Sequence, residues 1–164
     1  MKKPHNARKD SFLASIPQSS ILLPTCTLAK RCKFNFHYFD NSQDAGQDFS
    51  DWTHENIVEL LKKLKNYSEK SLSEWQYTRI GYGKQNVLEV YGKFPVRSDF
   101  KAPKNVPHQA SWARFRLEGD MRLIGFVIPE DFNHQEQNGS GYLFDSNTFY
   151  VTFLDENHNF YKTK

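Results

Sequence analysis

The chain has 164 residues, 38% of them hydrophobic and 15% aromatic, with a net charge of +3. That length fits one domain with its own core. No apolar run approaches the roughly 20 residues needed to span a bilayer, and the charged N-terminus is not followed by an apolar segment of signal-peptide type, so a cytoplasmic protein with no membrane partner is expected.

The 14 Phe and 8 Tyr favour strands over an all-helical fold. The charge is unevenly placed. Residues 1–10 hold Lys2, Lys3, Arg8 and Lys9 against Asp10, which accounts for +3. Residues 84–128 hold Lys84, Lys93, Arg97, Lys101, Lys104, Arg114, Arg116 and Arg122 against Glu89, Asp99, Glu118 and Asp120, a surplus of four. A local basic surface on a neutral body suits a phosphate-bearing ligand; a solvated face has the same signature.

Residues 1–32 read as a basic, loosely ordered extension, with Pro4, Pro17, Pro24 and several serines breaking any periodicity. Cys26 and Cys32 are separated by five residues, which is not a zinc or thioredoxin spacing, so both are expected to be reduced and structural. Residues 33–164 read as a single domain. Phe34, Phe36 and Tyr38 alternate along 33–39, a strand pattern. Asp40 to Asp48 is a loop. A helix follows over about Asp51 to Tyr67, with Ile57, Leu60, Leu61 and Leu64 on one face, acids early and lysines late.

Ser71 and Glu74 form a capping-box pattern that opens a second, shorter helix to about Arg79, and the two helices are expected to form a hairpin. Val87 to Val90 is a short strand. Pro95, Pro103 and Pro107 make 94–107 a loop. Three strands follow at about 111–118, 121–128 and 148–155, the first two joined tightly through Glu118-Gly119-Asp120. The polar stretch 129–147 is a long loop. The expected class is α+β: an antiparallel β-sheet packed against an N-terminal helical hairpin.

Alternation along 111–118 places Ala113, Phe115 and Leu117 on one face and Trp112, Arg114, Arg116 and Glu118 on the other. Arg114 and Arg116 then project the same way, about 7 Å apart, a spacing suited to neighbouring RNA phosphates. Arg122 joins them across the turn. Arginine suits this task because its planar fork binds phosphate in bidentate fashion and stays charged. Pairing with Glu118 and Asp120 is the structural alternative. His158 and Tyr161 follow the last strand. Imidazole exchanges protons near neutral pH, and a tyrosine can orient a phosphate or stack on a base. Lys101, Lys104 and His108 sit in the proline-rich loop and add positive charge.

These segments, Trp112-Ala-Arg-Phe-Arg, Arg122-Leu-Ile-Gly-Phe-Val and the terminal His158/Tyr161, resemble the RelE/YoeB-type toxins of toxin–antitoxin pairs. The likeness covers about 33–161. It implies a RelE-like fold of strand, helical hairpin and antiparallel sheet. It implies an endoribonuclease that cuts mRNA, usually on the ribosome, and is neutralised by an antitoxin protein. Arg122 would stabilise the scissile phosphate, His158 would be the acid or base, and Tyr161 would position the substrate. Arg114, Arg116, Lys101, Lys104 and His108 would bind RNA. Members of the family carry a glutamate base upstream of the Trp; here 100–108 has none, so Lys101, Lys104 or His108 would have to substitute.

The implied reaction uses no metal and no cofactor. A base takes the proton of the ribose 2′-hydroxyl, which attacks phosphorus, while arginines stabilise the extra negative charge and an acid protonates the leaving 5′-oxygen. The same arginines also suit a non-catalytic RNA-binding or protein-interaction domain on the same fold, in which the aromatic strand 33–39 could pair with a partner's strand.

Overall fold

The computed structural model describes residues 6–17 and 19–162; the lysines expected at positions 2 and 3 of the basic extension lie outside them. The first element is helix α1 (Ala7–Ser15), capped by the Asn6 side chain and carrying no buried residue. The sequence reading has no helix there, because the segment lacks an apolar face. Attachment to the body begins near Lys30: its ammonium pairs with Glu74, its carbonyl accepts from Asn147 Nδ2, and Cys32 is buried.

Strand β1 (Lys33–Asn35) is shorter than the 33–39 expected from alternation. The chain turns at Phe36, whose carbonyl accepts from the Phe39 N–H. Helix α2 (His54–Tyr67) starts at Thr53, whose hydroxyl accepts from Asn56 N–H. Its inward face is Ile57, Leu60, Leu64 and Tyr67; Leu61, expected on that face, is exposed. Helix α3 (Leu72–Tyr77) opens on the predicted capping box of Ser71 and Glu74, with both reciprocal bonds formed.

The four remaining strands are β2 (Leu88–Gly92), β3 (Ser111–Arg116), β4 (Arg122–Val127) and β5 (Thr148–Asp155). They form one five-stranded sheet in the order β1-β5-β4-β3-β2. The protein is therefore mixed α and β. The sheet is not wholly antiparallel as expected: β1 runs parallel to β5, and the other three pairings are antiparallel. Parallel pairing needs a long crossover, which the whole chain between β1 and β5 supplies. The 129–147 segment, read as a plain loop, holds a 3-10 turn (Glu130–Phe132) and a small hairpin closed by bonds between Gln137 and Tyr142 and between Gln135 and Phe144.

Both sheet faces are covered. On one, Ala113, Phe115, Leu117, Leu123, Phe149 and Val151 meet α2 and α3. Tyr67 stacks on Phe115 at 4.6 Å, and its hydroxyl donates to the Arg116 carbonyl. Burial pushes the Tyr67 phenol up to about 12, so it stays a donor. On the other face a second cluster forms from Phe100, Trp112, Ile124, Phe153 and Phe160. It is built by the 94–110 loop and by the C-terminal segment, which folds back after β5. That return is fixed by Asp155, whose two carboxylate oxygens accept the backbone N–H groups of Asn159 and Phe160 at 2.9 Å each. No helix among the described residues is long and apolar enough to cross a membrane.

Candidate functional site

The second face carries the charge. Strand register sets Arg114 opposite Glu89 on β2, Arg116 opposite Arg122, and Arg122 opposite Asp155 on β5. Directly opposed residues share a face, so the three arginines predicted to converge do so, flanked by two carboxylates. Their environments differ. Arg114 is 5% exposed; its Nη2 donates to Glu89 Oε2 at 2.8 Å and its Nε donates to the Tyr91 hydroxyl. Arg122 is 4% exposed and its Nη1 donates to the carbonyls of Gly119 and Met121, both at 2.8 Å. These carbonyls belong to the β3–β4 turn, where Gly119 adopts a positive φ of 53°. Arg116 is half-buried, and its Nη1 donates to Gln85 Oε1.

Only one of the three arginines, Arg114, is in an ion pair among the described residues. Arg122 has no ion pair among the described residues, although Asp155 stands opposite it, because the Asp155 oxygens serve the backbone turn. Arg114 Nη1 and Arg122 Nε are buried without a hydrogen-bond partner among the described residues. Burial first, then the neighbouring Arg114 and Arg116, pull the Arg122 guanidinium below its ordinary value. A guanidinium does not lose its proton in practice; the shift means that its charge is held at a cost, which an anion above the face would offset. Of the partners suggested for these arginines by sequence, Glu118 pairs with Lys63 at 2.5 Å while also feeling the charge of Arg116, and Asp120 partly offsets the pull on Arg122 without an ion pair among the described residues.

Tyr161 joins this group. Its ring, 41% exposed, stacks on Tyr91 with centroids 4.9 Å apart and planes within 7°. Tyr91 is held by Arg114 beneath it, and burial pushes its phenol up while Arg114 opposes the rise. His158 lies in the turn after β5, at the sheet end that also holds Arg116 and Arg122, in a left-handed conformation with φ 58°. Its imidazole makes no hydrogen bond with the arginines. The loop residues lie elsewhere: Lys104 and His108 line a cleft beside Trp112, at the far end of β3, and exposed Lys101, which does not line it, is tied through its backbone to Gln43.

Sequence reading missed Glu89 and Tyr91. The signal was present in Leu88-Glu-Val-Tyr91, where alternation puts Glu89 and Tyr91 opposite the core positions Leu88 and Val90; only the β2–β3 register shows which charges they meet. Among the described residues no group of three or more His, Cys, Asp or Glu side chains is placed to hold a metal ion. Comparison of the chain with protein-family models, with curated proteins and with solved structures finds no match.

Proposed function

We propose that the arginine face binds RNA phosphate and that the protein is a toxin-type endoribonuclease cleaving mRNA. The observation that carries this reading is the convergence of Arg114, Arg116 and Arg122 on one face, with only Arg114 in an ion pair among the described residues. Arg116, the accessible guanidinium, meets the scissile phosphate, and the two buried arginines set the positive potential beneath it. Tyr161 gives a base an exposed ring to stack on. Glu89, upstream of Trp112 and partly in solvent, takes the 2′-hydroxyl proton; the glutamate absent from 100–108 has its counterpart there.

The 2′-oxygen attacks phosphorus and the bond to the 5′-oxygen breaks. His158 gives the leaving oxygen a proton. The products are a 2′,3′-cyclic phosphate and a 5′-hydroxyl. The RelE-like arrangement, with α2 and α3 as a hairpin, belongs to the same proposal, as do the ribosome as a platform, an antitoxin as the neutralising partner and the cytoplasm as the place of action. Lys101 and Lys104 supply further charge toward RNA, and His108 a ring that can hydrogen-bond to it.

Induced expression in a bacterial host tests it, with growth and mRNA integrity followed for wild type, Arg116→Gln and His158→Ala. Arrest with cleaved mRNA in the wild type alone supports the site. Arrest that persists in both folded variants removes it. A second reading, a non-catalytic RNA-binding domain, is favoured by one observation: His158 has no hydrogen-bonded link to the arginines. It predicts RNA binding that weakens steeply with salt and intact mRNA.

A further inference from the structure

Past the arginine face, the second sheet face continues as a ladder of rings. Tyr161 stacks on Tyr91, Tyr91 lies 6.2 Å from Phe160, Phe160 lies 5.2 Å from Phe94, and Phe94 meets Trp112 edge-on at 4.9 Å. The ladder ends at a cleft of about 580 Å³ between the end of β2 and the 102–111 segment. Its walls include Lys93, Phe94, Lys104, His108, Gln109 and Trp112, and no Asp or Glu lines it. Neither Lys93 nor Lys104 has an ion-pair partner among the described residues. Clefts of a few hundred Å³ hold small ligands. Exposed cations over a half-buried ring are the components with which proteins hold single-stranded nucleic acid: backbone charge is matched by lysine and a base by an aromatic face.

We infer that this cleft holds one nucleotide of a single-stranded RNA, its phosphate among Lys93, Lys104 and His108 and its base on Phe94. The inference rests on the RNA reading of the arginine face, which lies on the same sheet face toward the other end of β3. It adds Lys93 and Phe94 to the RNA contacts; Lys101 does not line the cleft. An acidic peptide would satisfy the lysines but has no use for the half-buried Phe94 ring in the cleft wall.

The test is fluorescence anisotropy on the full chain with a labelled, 2′-O-methylated RNA of about twelve nucleotides, for wild type, the double variant Lys93→Gln/Lys104→Gln, Phe94→Leu and Arg116→Gln. The double variant is expected to bind about tenfold more weakly, with a salt slope smaller by about 0.7 for the one phosphate released. Phe94→Leu is expected to lose about tenfold with an unchanged slope. Both lysines are exposed, so their replacement leaves the melting temperature unmoved and the test stands even if Phe94→Leu lowers it. If all the cleft variants bind as wild type while Arg116→Gln weakens binding, the cleft inference falls and the arginine face stands. The reverse pattern keeps the cleft and removes the arginine face. Adenosine monophosphate bound as tightly as the RNA, or a glutamate peptide displacing it at equal concentration, overturns the inference in favour of a free nucleotide or an acidic protein.

Discussion

Replacing Glu89 with Gln separates binding from chemistry. The change keeps the side-chain shape and removes the negative charge 2.8 Å from Arg114 Nη2. Arg114 is 6% exposed and Glu89 42% exposed at the side chain. Removing one partner of a fully buried pair costs about 3–5 kcal/mol, and of an exposed pair about 0–1 kcal/mol. With one end in solvent and a neutral hydrogen bond retained, about 1–2 kcal/mol is expected, or about 2–8 °C in melting temperature for a chain of this size. The uncovered guanidinium then attracts phosphate more strongly. A neighbouring unit charge, after screening, is worth about 1–2 kcal/mol, so affinity for a non-cleavable RNA rises about five- to thirtyfold at low salt. Cleavage of ordinary RNA falls by about 10²–10⁴, the usual contribution of a general base. Anisotropy titration and a single-turnover cleavage assay read the two effects. A folded variant that binds RNA no more tightly means that Arg114 does not face the phosphate; one that cleaves at the wild-type rate means that Glu89 is not the proton acceptor.

Gly125→Ala tests the sheet that carries the site. A Cβ there lies 2.1 Å from the Tyr150 carbonyl and 2.7 Å from a Phe149 ring carbon, so backbone has to move, and a loss of about 3 kcal/mol or more is expected in urea denaturation. Ser71→Ala removes the α3 capping box and lowers stability by about 1 kcal/mol. The backbone N–H of Ser71, and then Lys30, hold Glu74 down from 4.5 to about 2. A carboxylate depressed in the fold stabilises above its unfolded pKa and loses that contribution as pH falls through about 4.5 toward 2; Glu74→Gln should therefore flatten the stability profile across that window. Burial raises the Cys32 thiol to about 11, and its Sγ donates to the Tyr67 carbonyl at 3.0 Å. Under native conditions an alkylating reagent should label the half-buried Cys26 well before Cys32, read by mass spectrometry.

Much of the fold was legible because local chemistry and tertiary packing agree. The Ser71/Glu74 capping box appears where its spacing placed it, and β5 spans the predicted 148–155. The tight turn at Gly119 is there because its positive φ needs glycine. Strand β1 stops at Asn35 because continued alternation cannot reveal a turn made by backbone bonding at Phe36. Helix α1 was illegible because a side-chain cap, not an apolar stripe, marks it. For the site, alternation sufficed to bring Arg114 and Arg116 to one face, and the turn added Arg122. What alternation cannot give is depth. Trp112, assigned to the arginine face, is buried because the 94–110 loop and Phe160 cover that end of the face. Arg114 is buried with Tyr91 and Glu89 bonded to it. Local alternation sets Glu89 and Tyr91 on the face away from Leu88 and Val90, but their meeting with Arg114 depends on a cross-strand register with a residue some 25 positions away.

The most direct measurement is the chemistry of the fragment ends after purified protein meets mRNA, with and without ribosomes. The account predicts cuts bearing 2′,3′-cyclic phosphate and 5′-hydroxyl termini, lost in His158→Ala and Glu89→Gln. RNA that is bound yet left intact by the folded protein in both settings, or cut to leave 5′-phosphates, contradicts it.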